Sequence, residues 1–384
     1  MGRGCHRPRG ILLTMSDELA RRGETVSGLI GDVPAGGPGV ASGGVRLTRK
    51  IGPYTLGECL GEGGFGAVFA AAQEGPIARR VAIKLLRAGA ASAQVLARFR
   101  REQHVLALMK HPHIAQVYDA GESADGQPFI VMELVEGPTI TRYCDDQKLG
   151  IRQRLGLFRQ ICDAVQHAHV RGIIHRDIKP SNVLVATDEG RPIVKVIDFG
   201  IARPVDPGRH APTVQTQERQ LIGTPAYMSP EQARGSEDID TRSDVYSLGV
   251  VLYELLAGLL PIDPDTLKNK SADQVDRIIN EQDPPSPSTR VGRSTETRSS
   301  IAAQRSVAPA ELTRMLRGEL DWVVMKCLEK SPDRRYQSAA ELSADIERHL
   351  SGAAVVAAPP SSAYRFRKFV RRNRLWVAVG AAVL

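Results

Sequence analysis

The 384-residue chain contains no Cys-x-x-Cys pair. Its five cysteines, an odd number, lie far apart at Cys5, Cys59, Cys144, Cys162 and Cys327. That scatter argues against a disulfide framework and a structural zinc site, and reduced thiols in a cytosolic domain are the simplest account. Long apolar runs are missing as well. Ile11-Leu12-Leu13 falls short of the roughly 7 to 15 apolar residues of a secretory signal, and no internal repeat is evident. Net positive charge is missing from the body of the chain. Residues 1–50 hold +4 and residues 360–374 hold +6 of the formal +8, which leaves −2 for the rest. Basicity confined to the flanks argues against a nucleic-acid partner.

What the chain does have is length beyond the usual 100–200 residues or so of one domain, and 42% hydrophobic residues to build a sizeable core. It also has one dense chemical stretch. In His175-Arg176-Asp177-Ile178-Lys179-Pro180-Ser181-Asn182 an acid, a cation and an amide stand close together, and Asp198-Phe199-Gly200 comes shortly after. Phosphoryl transfer asks a protein mainly to hold a metal, fix phosphates and aim the attacking oxygen. Asp177 suits the aiming role as acceptor of a hydroxyl proton, and Asn182 and Asp198 suit a hard cation. Val183-Leu184-Val185 and Val194 to Ile197 read as short strands around a turn at Asp188-Glu189-Gly190, so the two ligands would flank one hairpin. Each acid or amide alone would pass as a turn former; the ordered set would not.

A second set lies upstream. Tyr54 to Leu60 reads as a strand running into Gly61-Glu62-Gly63-Gly64-Phe65-Gly66-Ala67-Val68, where glycines would let backbone amides approach phosphate oxygens. Alone, that loop also fits a flexible hairpin or a dinucleotide turn. A dinucleotide fold would open a helix directly after the glycines, with an acid about 20 residues on. Instead the apolar strand Val81-Ala82-Ile83-Lys84 ends on a cation. A mostly buried ammonium needs a counterion. The segment Ala91 to Met109 has helical periodicity and carries Glu102, which we pair with Lys84.

With these motifs in order, the chain from about Tyr54 to Leu350 resembles the bacterial, eukaryotic-like Ser/Thr protein kinases. The resemblance implies an α+β, two-lobed fold: a small antiparallel sheet with one helix (54–135), then a larger, mainly helical lobe (136–351). It implies ATP and Mg²⁺, with Mn²⁺ as an alternative, and protein Ser/Thr hydroxyls as acceptors. Gly61, Gly63 and Gly66 would cover the phosphates, within a binding loop from Leu60 through Glu62, Gly64, Phe65 and Ala67 to Val68. Lys84 would hold the α and β phosphates and Glu102 would orient it. Asp177 would be the catalytic base, Lys179 would neutralise the γ-phosphate, and Asn182 and Asp198 would bind the metal. The backbone of Glu133 and Val135 would read adenine, sandwiched by Leu60, Val68, Ala82 and Leu184.

The same resemblance assigns the activation segment and its closing motif to the stretch up to Ser229-Pro230-Glu231, where the family's usual first residue is Ala. Glu231 would pair with Arg335, and Asp244 would brace the catalytic loop. Arg176 is the kind of cation that a phosphorylated loop recruits, with Thr213 and Thr216 as candidate acceptors. A homodimer would allow autophosphorylation. A pseudokinase scaffold would betray itself by a lost Lys, Asp or metal ligand, and none is lost here.

Outside the domain, residues 1–50 read as a disordered arm rich in Gly, Pro, Ala and Arg. The Ser-, Thr- and Arg-rich stretch at about 283–307 reads as a mobile insertion. Residues 352–374 read as a basic linker, and Leu375 to Leu384 as the start of a transmembrane helix that is incomplete, since ten apolar residues stand where about 20 are needed. On this reading the kinase domain is cytoplasmic and anchored at the inner membrane by a single-pass helix. An adaptor role for a C-terminal part past that helix would coexist with catalysis.

Overall fold

The computed structural model describes residues 49–63, 66–75, 78–86, 109–199, 225–236, 238–293 and 295–372. Glu102 and most of the helix expected over Ala91 to Met109, Gly64, Phe65, Thr213, Thr216, the arm, and the apolar run from Leu375 lie outside the described residues. Two compact units divide the chain: residues 1–96 with 117–138, and residues 97–116 with 139–384.

In the first unit, strands β1 (Lys50–Ile51), β2 (Tyr54–Gly63), β3 (Gly66–Gln73), β4 (Arg79–Leu86), β5 (Val117–Glu122) and β6 (Pro128–Glu133) form one antiparallel sheet in the order β1-β2-β3-β4-β6-β5. Strand alternation divides its residues between two faces. Val81, Ile83 and Leu85 of β4 enter a core with Ile51, Tyr54, Leu56, Ala71, Phe129 and Val131. The intervening Ala82 and Lys84 therefore lie on the other face. Register places Lys84 opposite Val68 and Ile130, and Ala82 opposite Ala70 and Met132.

The second unit runs through helices α1 (Ile140–Asp146) and α2 (Ile151–His169), the hairpin β7 (Val183–Asp188) and β8 (Arg191–Val196), and then α3 (Pro230–Arg234) and α4 (Thr241–Ala257). After these come α5 (Pro264–Leu267), α6 (Ala272–Glu281), α7 (Pro287–Gly292), α8 (Thr295–Ala303), α9 (Pro309–Leu316), α10 (Glu319–Cys327), α11 (Ala339–Leu350) and α12 (Ser362–Arg372). Helix α2 buries Ile151, Leu155, Phe158, Ile161, Cys162 and Val165, the three-to-four spacing of a one-sided helix. Helix α4 is different: every residue from Ser243 to Tyr253 is buried. A helix buried around its circumference belongs inside the fold, and each fully buried Val or Leu there contributes about 1.5–3 kcal/mol. Gly249 permits its contact with α10, because an added Cβ would lie 2.4 Å from the Cβ of Cys327.

Two stretches differ from the sequence expectation. Residues 283–307, expected as a mobile insertion, carry α7 and α8, with Val291, Ile301 and Ala302 buried. Arg305 explains the difference. Its guanidinium is 1% exposed and donates to the carbonyls of Glu254, Leu255 and Leu256 at the end of α4, and to that of Ile301. Arg154, equally buried, donates to the carbonyls of Leu149, Cys144, Leu255 and Gln304 and to the carboxylate of Asp145. The start of the basic linker is seated as well: Asp345 accepts from the backbone of Val356 and Ala357, and Val355 is buried.

Candidate active site

The loop from His175 to Asn182 is shaped by one buried carboxylate. Asp244, fully buried on α4, accepts the backbone N–H of His175 and of Arg176, each at 2.8 Å, and pairs with His169 Nε2 at 2.8 Å. Burial alone would raise its carboxyl group, but the hydrogen bond and charge of His169 and the backbone N–H of His175 hold it below its ordinary value. This bracing lets Arg176 stay at φ 65, a left-handed conformation that costs a non-glycine residue about 1–3 kcal/mol unless its surroundings impose it. Its carbonyl is fixed too, accepting from Gln232 Nε2 at 2.8 Å. The Nε of Arg176 is buried with no hydrogen-bond partner among the described residues.

His175 links this brace to Asp198. Burial pushes its imidazole below the ordinary value, and the neutral ring accepts from Asp177 N at Nδ1 (3.3 Å) while Nε2 donates to Ile197 O (3.1 Å). Phe199 packs on the same ring at 4.6 Å between centroids, so the residues on either side of Asp198 are both fixed to His175. Asp198 itself sits at φ 59. Ile197 N also donates to Asn182 O at 2.9 Å, which ties the two ends of the β7–β8 hairpin together.

Three of the expected residues meet directly. Asn182 Nδ2 donates to Asp177 O (2.8 Å) and Oδ2 (3.1 Å), and Lys179 Nζ lies 2.9 Å from the same Oδ2. Asn182 is buried, whereas Asp177 and Lys179 remain partly exposed. Leu184 lies in β7, one residue past the pairing of Val183 with Val196, and is half-buried.

The expected residues from Leu60 to Lys84, with Glu133 and Val135, belong to the first unit. Val68, Ala82 and Lys84 share the sheet face opposite the core. Leu60 is the extra residue where β2 bulges against β3, between the pairs Cys59–Phe69 and Gly61–Val68. Beyond the bulge Glu62 pairs with Ala67 and Gly63 with Gly66. Gly66 has φ 146, and a Cβ there would sit 1.8 Å from Leu85 O, so no other residue fits. Glu133 ends β6 opposite Val81, and Val135 lies two residues on, half-buried.

The anchoring pair implied by the resemblance is present. Arg335 reaches Glu231 through two bonds, Nη1–Oε1 at 2.7 Å and Nη2–Oε2 at 2.9 Å, and both residues are buried. Burial would raise the Glu231 carboxyl group, but Arg335 and Ser243 hold it down at about 2. Ser229, where the family usually has Ala, caps α3: its Oγ accepts from Gln232 N, and Gln232 Oε1 accepts from Ser229 N. The remaining amide of Gln232 is the group that holds Arg176 O. Sequence reasoning missed Gln232 and His169, although Ser-x-x-Gln before a short helix is a legible capping signal.

Comparison with known proteins agrees with this geometry. The protein kinase domain family matches residues 54–345. The serine/threonine-protein kinase PknB of Mycolicibacterium smegmatis is 41% identical over 307 residues, 78% of this chain and 43% of that protein. PknB of Mycobacterium leprae is 40% identical over 304 residues with the same coverage. The chain thus spans less than half the length of these relatives. The crystal structure of the Mycobacterium tuberculosis PknI kinase domain aligns with a TM-score of 0.56 at 27% identity, over 81% of this chain and 100% of that one. The chain belongs to the protein kinase family, among the bacterial eukaryotic-like serine/threonine kinases.

Proposed function

We propose that the chain transfers the γ-phosphoryl group of ATP to serine or threonine hydroxyls of proteins. The observation that carries this reading is the cluster of Asp177, Lys179 and Asn182 within hydrogen-bond distance, on a loop braced by Asp244. In the reaction the acceptor oxygen forms a bond to the γ-phosphorus as the bond to the bridging oxygen of ADP breaks. Asp177 orients the hydroxyl and takes its proton, and Lys179 offsets charge on the γ-phosphate. By the family resemblance Lys84 would hold the α and β phosphates, and Glu102, which lies outside the described residues, would orient it. The same resemblance gives the glycines of the β2–β3 hairpin the role of covering the phosphates, Leu60, Val68, Ala82 and Leu184 that of enclosing the adenine, and the backbone of Glu133 and Val135 that of reading its edge.

The donor set fits Mg²⁺. The amide nitrogen of Asn182 is committed to Asp177, which leaves its carbonyl oxygen to join the Asp198 carboxylate as an oxygen ligand for a hard cation. The metal, when bound, supplies charge neutralisation on the phosphates.

We infer further that the enzyme autophosphorylates, in trans within a homodimer, and that its cytoplasmic domain is tethered to the inner membrane through the basic cluster and the apolar run of the C-terminal region. The buried Nε of Arg176, unpartnered among the described residues, supports the first of these, since a phosphorylated threonine would supply an acceptor. Labelling of a generic Ser/Thr acceptor with ATP and Mg²⁺ tests the assignment: the wild type labels it, and Asp198→Asn does so at least about a thousandfold more slowly. Equal incorporation by both would refute it. Peptide mass mapping of the active protein is expected to find phosphate on Thr213 or Thr216, and two unmodified threonines would remove the autophosphorylation site proposed here.

A further inference from the structure

The hairpin that carries Asp198 is held from both sides. Strand β8 pairs with β7 along one edge. Along the other edge His113 O accepts Val196 N at 2.8 Å, Ala115 N donates to Val196 O at 2.9 Å, and Ile114 bridges Val196 in parallel register. Ile197 and Asp198 follow directly on Val196. Whatever loosens residues 113–115 therefore loosens the support of the Asp198 carboxylate.

Three imidazoles gather at the start of this outer segment. His111 lies 4.7 Å between centroids from His167 of α2 and 5.4 Å from His113. Its Nδ1 accepts the backbone N–H of His113 at 3.3 Å, and a ring nitrogen that accepts carries no proton. His167 Nε2 is buried with no hydrogen-bond partner among the described residues. His113 differs, because its Nδ1 donates to Val194 O at 3.1 Å and its charged form would keep that bond. A proton on His111 thus breaks a bond that shapes the segment, and a second on His167 sets two cations against each other.

The surrounding charges favour the neutral cluster. Asp163, one turn before His167 on α2, favours protons on His111 and His113. Arg171, just past the end of α2, opposes them at His111 and His167, and Lys195 of β8 does so at His113. Burial is the largest influence on each ring, and all three imidazoles lie below the ordinary 6.5. For a group depressed in this way the opened chain takes up protons first. Its contribution to the closed arrangement is complete above 6.5 and is lost as the pH falls below that value.

We propose that His111, His113 and His167 form an acid-sensitive clasp on β8: proton uptake at His111 and His167 releases residues 113–115 from Val196, displaces Asp198, and lowers phosphoryl transfer reversibly. The proposal rests on the kinase reading above and adds a regulation to it.

The test compares the wild type with the double variant His111→Asn, His167→Phe. Asparagine keeps an acceptor near the place of Nδ1 and phenylalanine keeps the ring, while neither takes up a proton. At about pH 7.5 both proteins label a generic Ser/Thr acceptor at similar rates, and between there and about pH 5.5 the wild type loses about tenfold more rate than the variant and regains it on neutralisation. Protonation of ATP and of His175 acts on both proteins, so the difference between the two profiles reports on the cluster. Superimposable profiles would overturn the clasp and leave the kinase assignment standing. Amide hydrogen exchange of the wild-type chain decides the matter even if the variant does not fold or no acceptor is labelled. After correction for the intrinsic effect of pH, the amides of Val196 and Ala115 open about tenfold more often at the acidic pH, while those of α4 do not change. Unchanged opening at those two amides, or an equal loss of protection along α4, would overturn the proposal.

Discussion

Replacing Arg335 by Met should be among the most destabilising single changes in the second unit, and its pH dependence should reveal the cause. In the wild type the Glu231 carboxyl group lies at about 2, against an ordinary 4.5, in a side chain only 11% exposed. By linkage that depression is worth about 3 kcal/mol, present above pH 4.5 and lost as the pH falls towards 2. Removal of the guanidinium leaves a buried carboxylate without its cation, and breaking a buried pair from one side costs about 3–5 kcal/mol. Three backbone carbonyls, those of Glu329, Lys330 and Arg242, lose a donor at the same time. The sign of the pH effect then reverses. With burial no longer opposed, the Glu231 carboxyl group rises above its unfolded value, so the variant recovers stability as it takes up a proton. Urea unfolding of both proteins at pH 7 and pH 5 should show a gap of about 3–5 kcal/mol that narrows at the lower pH. A gap under about 1 kcal/mol at pH 7, or one that widens on acidification, would refute the assignment of Glu231 as a charged anchor.

Asp244→Asn keeps the shape of the brace but puts an amide N–H₂ against backbone donors. Hydrogen bonds to a charged acceptor are worth about 1.5–3 kcal/mol each, so kcat should fall about tenfold or more with little change in the KM for ATP; steady-state kinetics showing a loss under about threefold would remove Asp244 from the positioning role. Gly66→Ala forces a Cβ towards Leu85 O at a φ of 146, a strain of about 1–3 kcal/mol. ATP affinity, measured by titration, should weaken about tenfold, and a change within twofold would show that the hairpin does not approach the nucleotide.

Much of the catalytic loop was legible because its partners are close in sequence. Asp177, Lys179 and Asn182 lie within one turn-rich octapeptide, and the β7–β8 hairpin announces itself through Glu189-Gly190, both at positive φ as a two-residue turn of that twist requires. The face shared by Val68, Ala82 and Lys84 comes from strand alternation alone. Residues 283–307 were misread for a physical reason. A Ser-, Thr- and Arg-rich composition normally marks a solvated segment, and among the described residues of α8 only Ile301 and Ala302 appear in the core. What orders the stretch is a guanidinium that finds carbonyls some fifty positions earlier in the chain, and no local pattern encodes such a meeting. Glu319 is similar: a glutamate at the start of α10 reads as a favourable charge near the helix N-terminus, and nothing nearby signals that Tyr364 Oη donates to it and Lys368 pairs with it.

Arg305 carries a practical consequence for anyone trimming this enzyme. Its guanidinium sits over the carbonyls of residues 254 to 256, so the polar stretch that looks most dispensable is the plug of the deepest helix. A shortened catalytic fragment that omits it would expose that helix end to water, whereas one that keeps it and discards the N-terminal arm would leave the plug in place.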